Sequence, residues 1–238
     1  MKLVVVGTGS HGNCYVLSSD DKESVIIDAG ISFKKVLRYI PDIRKISCCI
    51  VGHEHQDHAR AIKDFTLHGI QIVTSKGTWD ALGMNGKGYE ELKPVKLNSF
   101  TIMPFAVQHD AAEPFGFLIR YNPTGETILY ATDTYYLKYT FPNVNYWIVE
   151  CNYCDDMIDG ETDAALRNRL KESHMSLNRL CDTLKANDLS QTVKIVLVHL
   201  SDKRSDETRM VQTVTDLTGI ETIAADAGME IELNLTPF

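Results

Sequence analysis

The chain has 238 residues, 44% of them hydrophobic, and a formal net charge of −8. That length accommodates one large α/β domain or two small ones, with enough apolar content for a real core. No apolar run approaches the roughly 20 residues of a membrane-spanning helix, and the acidic balance argues against a broad sequence-independent grip on nucleic acid, which draws on a basic face.

The first forty residues read as short strands and glycine-punctuated turns: Lys2 to Val6, Cys14 to Leu17, and Ser24 to Ile27 ending in Asp28-Ala29-Gly30. The apolar opening is too short for a secretory h-region. Between the first two strands, Gly7-x-Gly9-x-x-Gly12 has the letters of a dinucleotide fingerprint. A strand follows it, however, where that fingerprint needs a helix N-terminus to hold the pyrophosphate. From Ile31 to Ile40 the apolar spacing predicts an amphipathic helix stopped by Pro41.

The apolar run Cys48 to Val51 then ends in Gly52, followed by His53-Glu54-His55-Gln56-Asp57-His58. Three imidazoles and the Asp57 carboxylate within six residues, behind a buried strand, are natural ligands for zinc and its neighbours. Packing alone does not account for them, because each buried imidazole needs a polar partner. Ala59 to Leu67 has helical spacing and ends at Gly69, with His68 read as a capping or surface residue.

Strands are expected at Ile70 to Thr74, Val95 to Leu97, Thr101 to Val107, Gly116 to Tyr121, Thr127 to Ala131 and Trp147 to Val149, with a loop at Met84 to Gly88. Helices are expected at Asp163 to Glu172 and Leu177 to Ala186. A strand (Val193 to Val198), a helix (Glu207 to Leu217) and two strands (Ile220 to Ala224, Glu230 to Leu235) complete the series. No repeat or linker interrupts it, so residues 1–238 read as a single domain. Two groups of strands with intervening helices suggest α/β architecture, an αββα sandwich. His109, Asp133, His174 and His199 each read as following an apolar β run, where a rigid frame presents side chains to one shared edge. Six cysteines, mostly in apolar runs, suit reduced thiols in a cytoplasm, and the lone pair Cys151-x-x-Cys154 reads as structural.

The His-x-His-x-Asp-His run resembles the signature of the metallo-β-lactamase fold superfamily, whose fold is the four-layer αββα sandwich. His53, His55, Asp57, His58, His109, Asp133 and His199 resemble the full dinuclear ligand set of its hydrolytic members. By that resemblance His53, His55 and His109 hold one divalent ion, and Asp57, His58 and His199 hold the second. Asp133 and a hydroxide would bridge both, and Asp28 would be the buried carboxylate supporting the loop. The ions implied are zinc, with manganese as the other candidate. An aspartate in place of cysteine at Asp133 separates the chain from the zinc β-lactamases proper.

The stretches Gly9-Ser10-His11-Gly12-Asn13, His109 to Phe117, Glu150-Cys151-Asn152-Tyr153, Ser173-His174-Met175-Ser176 and His199-Leu200-Ser201 together resemble one branch. It is the small single-domain exonuclease-like family related to ribonuclease Z, associated in bacteria with cell-wall regulation and DNA repair. The chain departs from that pattern at Ser173, at Cys154 and after Ser201. The implied activity is a metal-dependent phosphodiesterase, a 5′→3′ exonuclease-like nuclease with DNA favoured over RNA as its partner. In it Asp57 belongs to the catalytic set, and His174, oriented by Glu150, protonates the leaving oxygen. Arg167, Arg169, Lys171, Lys203 and Arg204 lie near these residues in sequence and offer a local positive rim. The alternatives are a phosphodiesterase for small cyclic or nucleotide diesters and a glyoxalase II-like thioesterase, which has no use for His174 with Glu150.

Overall fold

The computed structural model describes residues 1–158 and 163–235. The chain forms two compact units: one holds Met1–Ala106, Ala111–Glu126 and the chain from Asp226, the other Val107–Asp110 and Thr127–Ala225. No described helix is long and apolar enough to cross a membrane.

In the first unit, β1 (Lys2–Gly7), β2 (Cys14–Ser18) and β3 (Ser24–Ile27) form an antiparallel meander with Val4 opposite Val16 and Val16 opposite Ile26. Beyond it come α1 (Phe33–Val36), β4 (Ile46–Ile50), α2 (Gln56–Ala59), α3 (Ile62–Leu67), β5 (Ile72–Ser75), α4 (Lys76–Ala81) and β6 (Gly88–Tyr89). Strands β3 to β6 run parallel. That is why β4 is buried from Ser47 to Ile50 rather than alternating between core and solvent. On the helix side Val4, Val6, Val16, Ile26, Cys49 and Val51 belong to the same core as Phe33, Phe65 and Trp79. Phe33 and Phe65 meet edge to face at 4.8 Å. Strands β7 (Val95–Leu97), β8 (Phe100–Ala106) and β9 (Phe115–Tyr121) add an antiparallel series to this unit.

The second unit is built as parallel β/α repeats: β10 (Thr127–Ala131), β11 (Tyr146–Glu150), α5 (Ala164–Ser173), α6 (Leu177–Lys185), β12 (Lys194–Val198), α7 (Glu207–Thr218) and β13 (Glu221–Ala224). The order of its strands is β13-β12-β11-β10, all parallel. The side chains of Asp163, Ser176 and Asp206 cap α5, α6 and α7 by accepting from the amides of Ala165, Arg179 and Arg209. Helix α7 stops at Gly219, whose φ of 70° suits a residue without Cβ. Helix α6 buries Leu177, Leu180, Cys181 and Leu184, whereas α5 buries only Ser173. The chain then returns to the first unit, where β14 (Glu230–Glu232) pairs with β1 and completes the order β14-β1-β2-β3-β4-β5-β6.

The expected elements recur with local corrections. The helix expected over Ile31 to Ile40 is a single turn, Phe33–Val36, continued by a 3-10 turn over Leu37–Tyr39. Pro41 forces Ile40 into an extended conformation (φ −118°), so the last turn has too few residues to stay α-helical. The helix expected over Ala59 to Leu67 begins earlier and is broken in two, because the Ala61 amide leaves the helical ladder to bond the Ala29 carbonyl at 2.8 Å. His174 does not follow a strand. It is the C-terminal cap of α5, extended at φ −132°. All six cysteines are free and buried.

Candidate functional site

The first unit gathers its ligand-type side chains where β3 and β4 end. Asp28 directly follows β3 with φ at 61°, a left-handed conformation that turns the chain sharply out of the sheet. Its buried carboxylate accepts from the Gly52 amide through Oδ1 (2.9 Å) and meets His58 Nδ1 through Oδ2 (2.7 Å). Gly9 donates to Asn13 Oδ1 at 2.9 Å, which leaves the Asn13 amide nitrogen 3.0 Å from His58 Nε2. Asn13 therefore donates to Nε2 and His58 carries its ring proton on Nδ1, toward Asp28. That tautomer leaves Nε2 unprotonated, as a metal ligand requires, and an ion bound there would take the place of the Asn13 N–H.

His53 and His55 lie in the loop before α2, with His53 Nε2 at 3.0 Å from His55 Nδ1. Two ring nitrogens at that separation share either a proton or a cation. Bonds of about 2.05 Å to one tetrahedral zinc would set them about 3.3 Å apart. The rings of His53 and His58 are tilted at 4.4 Å between centroids. Asp57 and His58 lie on the first turn of α2 rather than in the loop, and Asp57 Oδ2 is 3.5 Å from His58 Nε2. This short helix is locked to its neighbours by Asn13 N–H donating to the Asp57 carbonyl (2.7 Å) and Ala29 N–H to the His58 carbonyl (2.7 Å). A Cβ on Gly30 would come within 1.7 Å of the Asp57 carbonyl oxygen, so only glycine allows this approach.

The second unit carries the other half of the residues singled out by sequence. Asp133 follows β10 with φ at 49° and His199 follows β12 with φ at 57°, while Glu150 is the last residue of β11. Three adjacent parallel strands thus deliver three candidate functional side chains at their carboxyl ends, the edge at which open α/β sheets place their sites. His199 Nδ1 is 3.2 Å from both Asp133 Oδ1 and Glu150 Oε1. Asn152 donates to the His199 carbonyl at 2.8 Å, pinning the strained residue. His174 Nδ1 is 2.6 Å from Glu150 Oε1 and 3.6 Å from Asp133 Oδ1, and its ring stacks on His199 at 5.4 Å. Glu150 uses its other oxygen to accept from the amides of Thr134 (3.0 Å) and Met175 (3.1 Å). His109 Nδ1 donates to the Ser173 carbonyl at 2.9 Å, with Nε2 at 3.8 Å from Asp133 Oδ2.

Electrostatics separate the histidines of this unit. Burial tends to lower the pKa of His174, but the Glu150 charge and hydrogen bond, with Asp133, override it and raise the pKa. Burial likewise works to raise Glu150, but the His174 charge and hydrogen bonds from His174 and His199 bring its pKa down. The two form an ion pair. At His109 burial prevails over Asp133 and the Ser173 carbonyl, and the pKa is lowered, which keeps that ring neutral as a ligand must be. Ligand-competent atoms of Asp133, Glu150, His174 and His199 all lie within 4.8 Å of one another. By donor chemistry and spacing the unit holds a candidate His/Asp metal site.

Sequence reasoning gave no individual role to Asn13, Asn152 or Gly30, though all three fall in or beside stretches it singled out. Their signal is proximity to a ligand cluster, which becomes informative only once the chain brings them to the histidines. Of the basic rim residues, Arg169 is tied to Asp110 at 3.4 Å on the exposed face of α5. Among the cysteines, burial pushes the Cys48 thiol up to about 12, so it is inert as a nucleophile.

Comparison with known proteins agrees with this architecture. The metallo-β-lactamase fold protein YhfI from Bacillus subtilis has a TM-score of 0.76 at 18% identity, covering 97% of this chain and 98% of that one. Human tRNase Z, short form, has a TM-score of 0.68 at 16% identity, covering 98% and 100%. Zinc-bound PqqB from Methylobacterium extorquens has a TM-score of 0.71 at 11% identity, covering 98% and 100%. No curated protein matches the chain. The fold class is the α/β, αββα sandwich of the metallo-β-lactamase fold, with hydrolase chemistry and metal binding as its general character. The profile of the beta-lactamase superfamily domain matches residues 23–200, well over half of the sequence, and the chain belongs to that family.

Proposed function

We propose that the protein is a metal-dependent phosphodiesterase acting on nucleic acid, with a 5′→3′ exonuclease-like action and DNA preferred over RNA. The observation that carries the reading is the ion pair between His174 and Glu150 at 2.6 Å, held beside Asp133 and His199. A thioester gives up a thiolate, which leaves without help. A phosphodiester gives up a poor alkoxide leaving group and needs a proton donor. The structural likeness to human tRNase Z supports a phosphodiester substrate.

The proposed ligand set is His53, His55, Asp57, His58, His109, Asp133 and His199, seven groups and too many for one tetrahedral ion. It holds two divalent ions, with zinc favoured and manganese the other candidate. When bound, such ions supply Lewis-acid stabilisation of phosphoryl charge and lower the pKa of water. The chain's own residues do the rest. Asp28 fixes the His58 tautomer, Glu150 orients His174 and favours its charged form, and His174 gives the leaving oxygen its proton from Nε2 while Nδ1 stays on Glu150.

The test is end-labelled single- and double-stranded DNA and RNA, with bis(p-nitrophenyl) phosphate and lactoylglutathione as small substrates, across several divalent metals. Diester cleavage that disappears in chelator, with metal and activity both lost in His55→Ala, is the expected result. Fast thioester cleavage without diesterase activity would replace the reading with the glyoxalase-like one.

A further inference from the structure

A cavity of about 440 Å³ in the second unit lies outside the ligand cluster, in the range of volumes occupied by small-ligand sites. Its walls are the loop Tyr135 to Thr140, two residues after Asp133, and the exposed side of α6 with the turn that follows it, from Arg179 to Asn187. The loop is built onto the functional residues: Thr134 N–H donates to Glu150, Thr134 Oγ1 accepts from the Gln108 amide and donates to the Tyr136 carbonyl, and Tyr135 N–H donates to the Gln108 carbonyl.

The chemistry of the lining is aromatic and cationic. Tyr135, Tyr136 and Tyr139 contribute three rings within five residues. The Arg179 guanidinium lies 5.0 Å above the Tyr135 ring and donates to the Tyr135 carbonyl, and the Lys138 ammonium lies 5.3 Å from the Tyr139 ring. Tyr136 is 52% exposed, and among the described residues its ring has no aromatic or cationic partner. The one acidic side chain of the lining, Asp182, is matched by Lys185 at 3.7 Å. In a chain of net charge −8 this wall is locally positive.

From this juxtaposition we infer that the cavity binds an unpaired nucleotide of the substrate strand, its base stacked on Tyr136 and its phosphate facing Arg179 and Lys138. Stacking surfaces interleaved with cations are what single-stranded nucleic acid requires, and the loop's direct continuity with Asp133 places this grip beside the reacting groups of its own unit. The one side-chain amide of the lining, Asn187, is already engaged by the Phe141 amide and the Thr183 carbonyl, so the bidentate reading of a base edge that an amide offers is not available there. The grip therefore reads an unpaired strand rather than a sequence. This inference rests on the phosphodiesterase reading for the identity of the ligand, but its measurement does not depend on turnover.

The experiment is fluorescence anisotropy of a short labelled single-stranded oligodeoxynucleotide with the full-length protein in chelator, at low and moderate salt, alongside the same sequence as a duplex. Tyr136→Ala and Arg179→Ala should each weaken single-strand binding roughly 5- to 150-fold, Tyr136→Phe should retain it, and the duplex should bind more weakly than the single strand. Circular dichroism of each variant confirms the fold. Equal binding by wild type, Tyr136→Ala and Arg179→Ala, absence of single-strand binding in wild type, or a duplex bound as tightly as the single strand would each overturn the inference. Hydrolysis of bis(p-nitrophenyl) phosphate by wild type separately decides the phosphodiesterase reading, so the two can fail independently.

Discussion

His58 donates from Nδ1 to the buried carboxylate of Asp28 across 2.7 Å, and the Asn13 amide on the opposite side of the ring fixes the same tautomer. Asp28→Asn tests this directly. Its carbonyl would stay on the Gly52 amide, its NH₂ would face Nδ1, and the imidazole would have to carry its proton on Nε2, where it cannot ligate. Metal affinity should fall about 10- to 100-fold, with Asn tolerated at the left-handed φ. Competition against a chromogenic chelator measures it, and unchanged affinity would show that the carboxylate only fills space.

His174→Ala should lower kcat on a natural diester roughly 10²- to 10⁴-fold while metal content and fold persist. Glu150→Gln should lose less, and the double variant should lose little beyond His174→Ala, because both changes disable one step. With a p-nitrophenolate leaving group the loss should shrink. A metal-depleted His174→Ala protein would instead make His174 a ligand, a role its place in the cluster with Asp133, Glu150 and His199 allows.

The same ion pair makes a statement about stability in metal-free protein. The His174 pKa is raised from 6.5, so its contribution is complete below 6.5 and is lost as pH rises through the folded value. The Glu150 pKa is lowered from 4.5, so its contribution is present above 4.5 and is lost as pH falls through the folded value. The pair thus stabilises most between about 4.5 and 6.5. Melting of the chelated wild type and Glu150→Gln from pH 4 to 9 should show the largest gap between them in that window. A gap widening toward pH 9 contradicts the assignment.

Gly30→Ala is expected to destabilise the protein by about 3 kcal/mol or more, the upper end for overpacking. The obstacle is the Asp57 backbone carbonyl, 1.7 Å from the new Cβ, and backbone cannot rotate away as a side chain can. Denaturant unfolding provides the value. A loss under about 1 kcal/mol would mean that α2 shifts freely, in which case metal affinity should fall instead.

The histidine cluster was legible because four ligand groups in six residues exceed what packing accounts for, and β4 was legible as a continuous apolar run before a glycine. The parallel strands of the second unit were similarly plain. His174 was misplaced although the helices expected over Asp163 to Glu172 and from Leu177 already flanked it: it was grouped with His109, Asp133 and His199 by residue type, and that grouping overrode its local setting at the end of α5. Helix α4 was missed: Gly77 and Thr78 are poor helix formers, and the one signal, Ser75 accepting from the Thr78 amide, is a cap whose geometry exists only once the turn has formed. The interruption at Ala61 had no local cause to detect, since its hydrogen-bond partner Ala29 lies 32 positions earlier.

The delivery of Asp133, Glu150 and His199 from three neighbouring strand ends divides the second unit into a frame and a rim. Each of the three is anchored by its own strand, so the loop beyond Tyr136, past the Thr134 amide that bonds Glu150, can lengthen, shorten or change composition without moving the other two. Selection can thus retune the rim while the three candidate functional groups keep their places. Hydrolases with different substrates can in this way diverge from one scaffold by editing connections and leaving the strands alone.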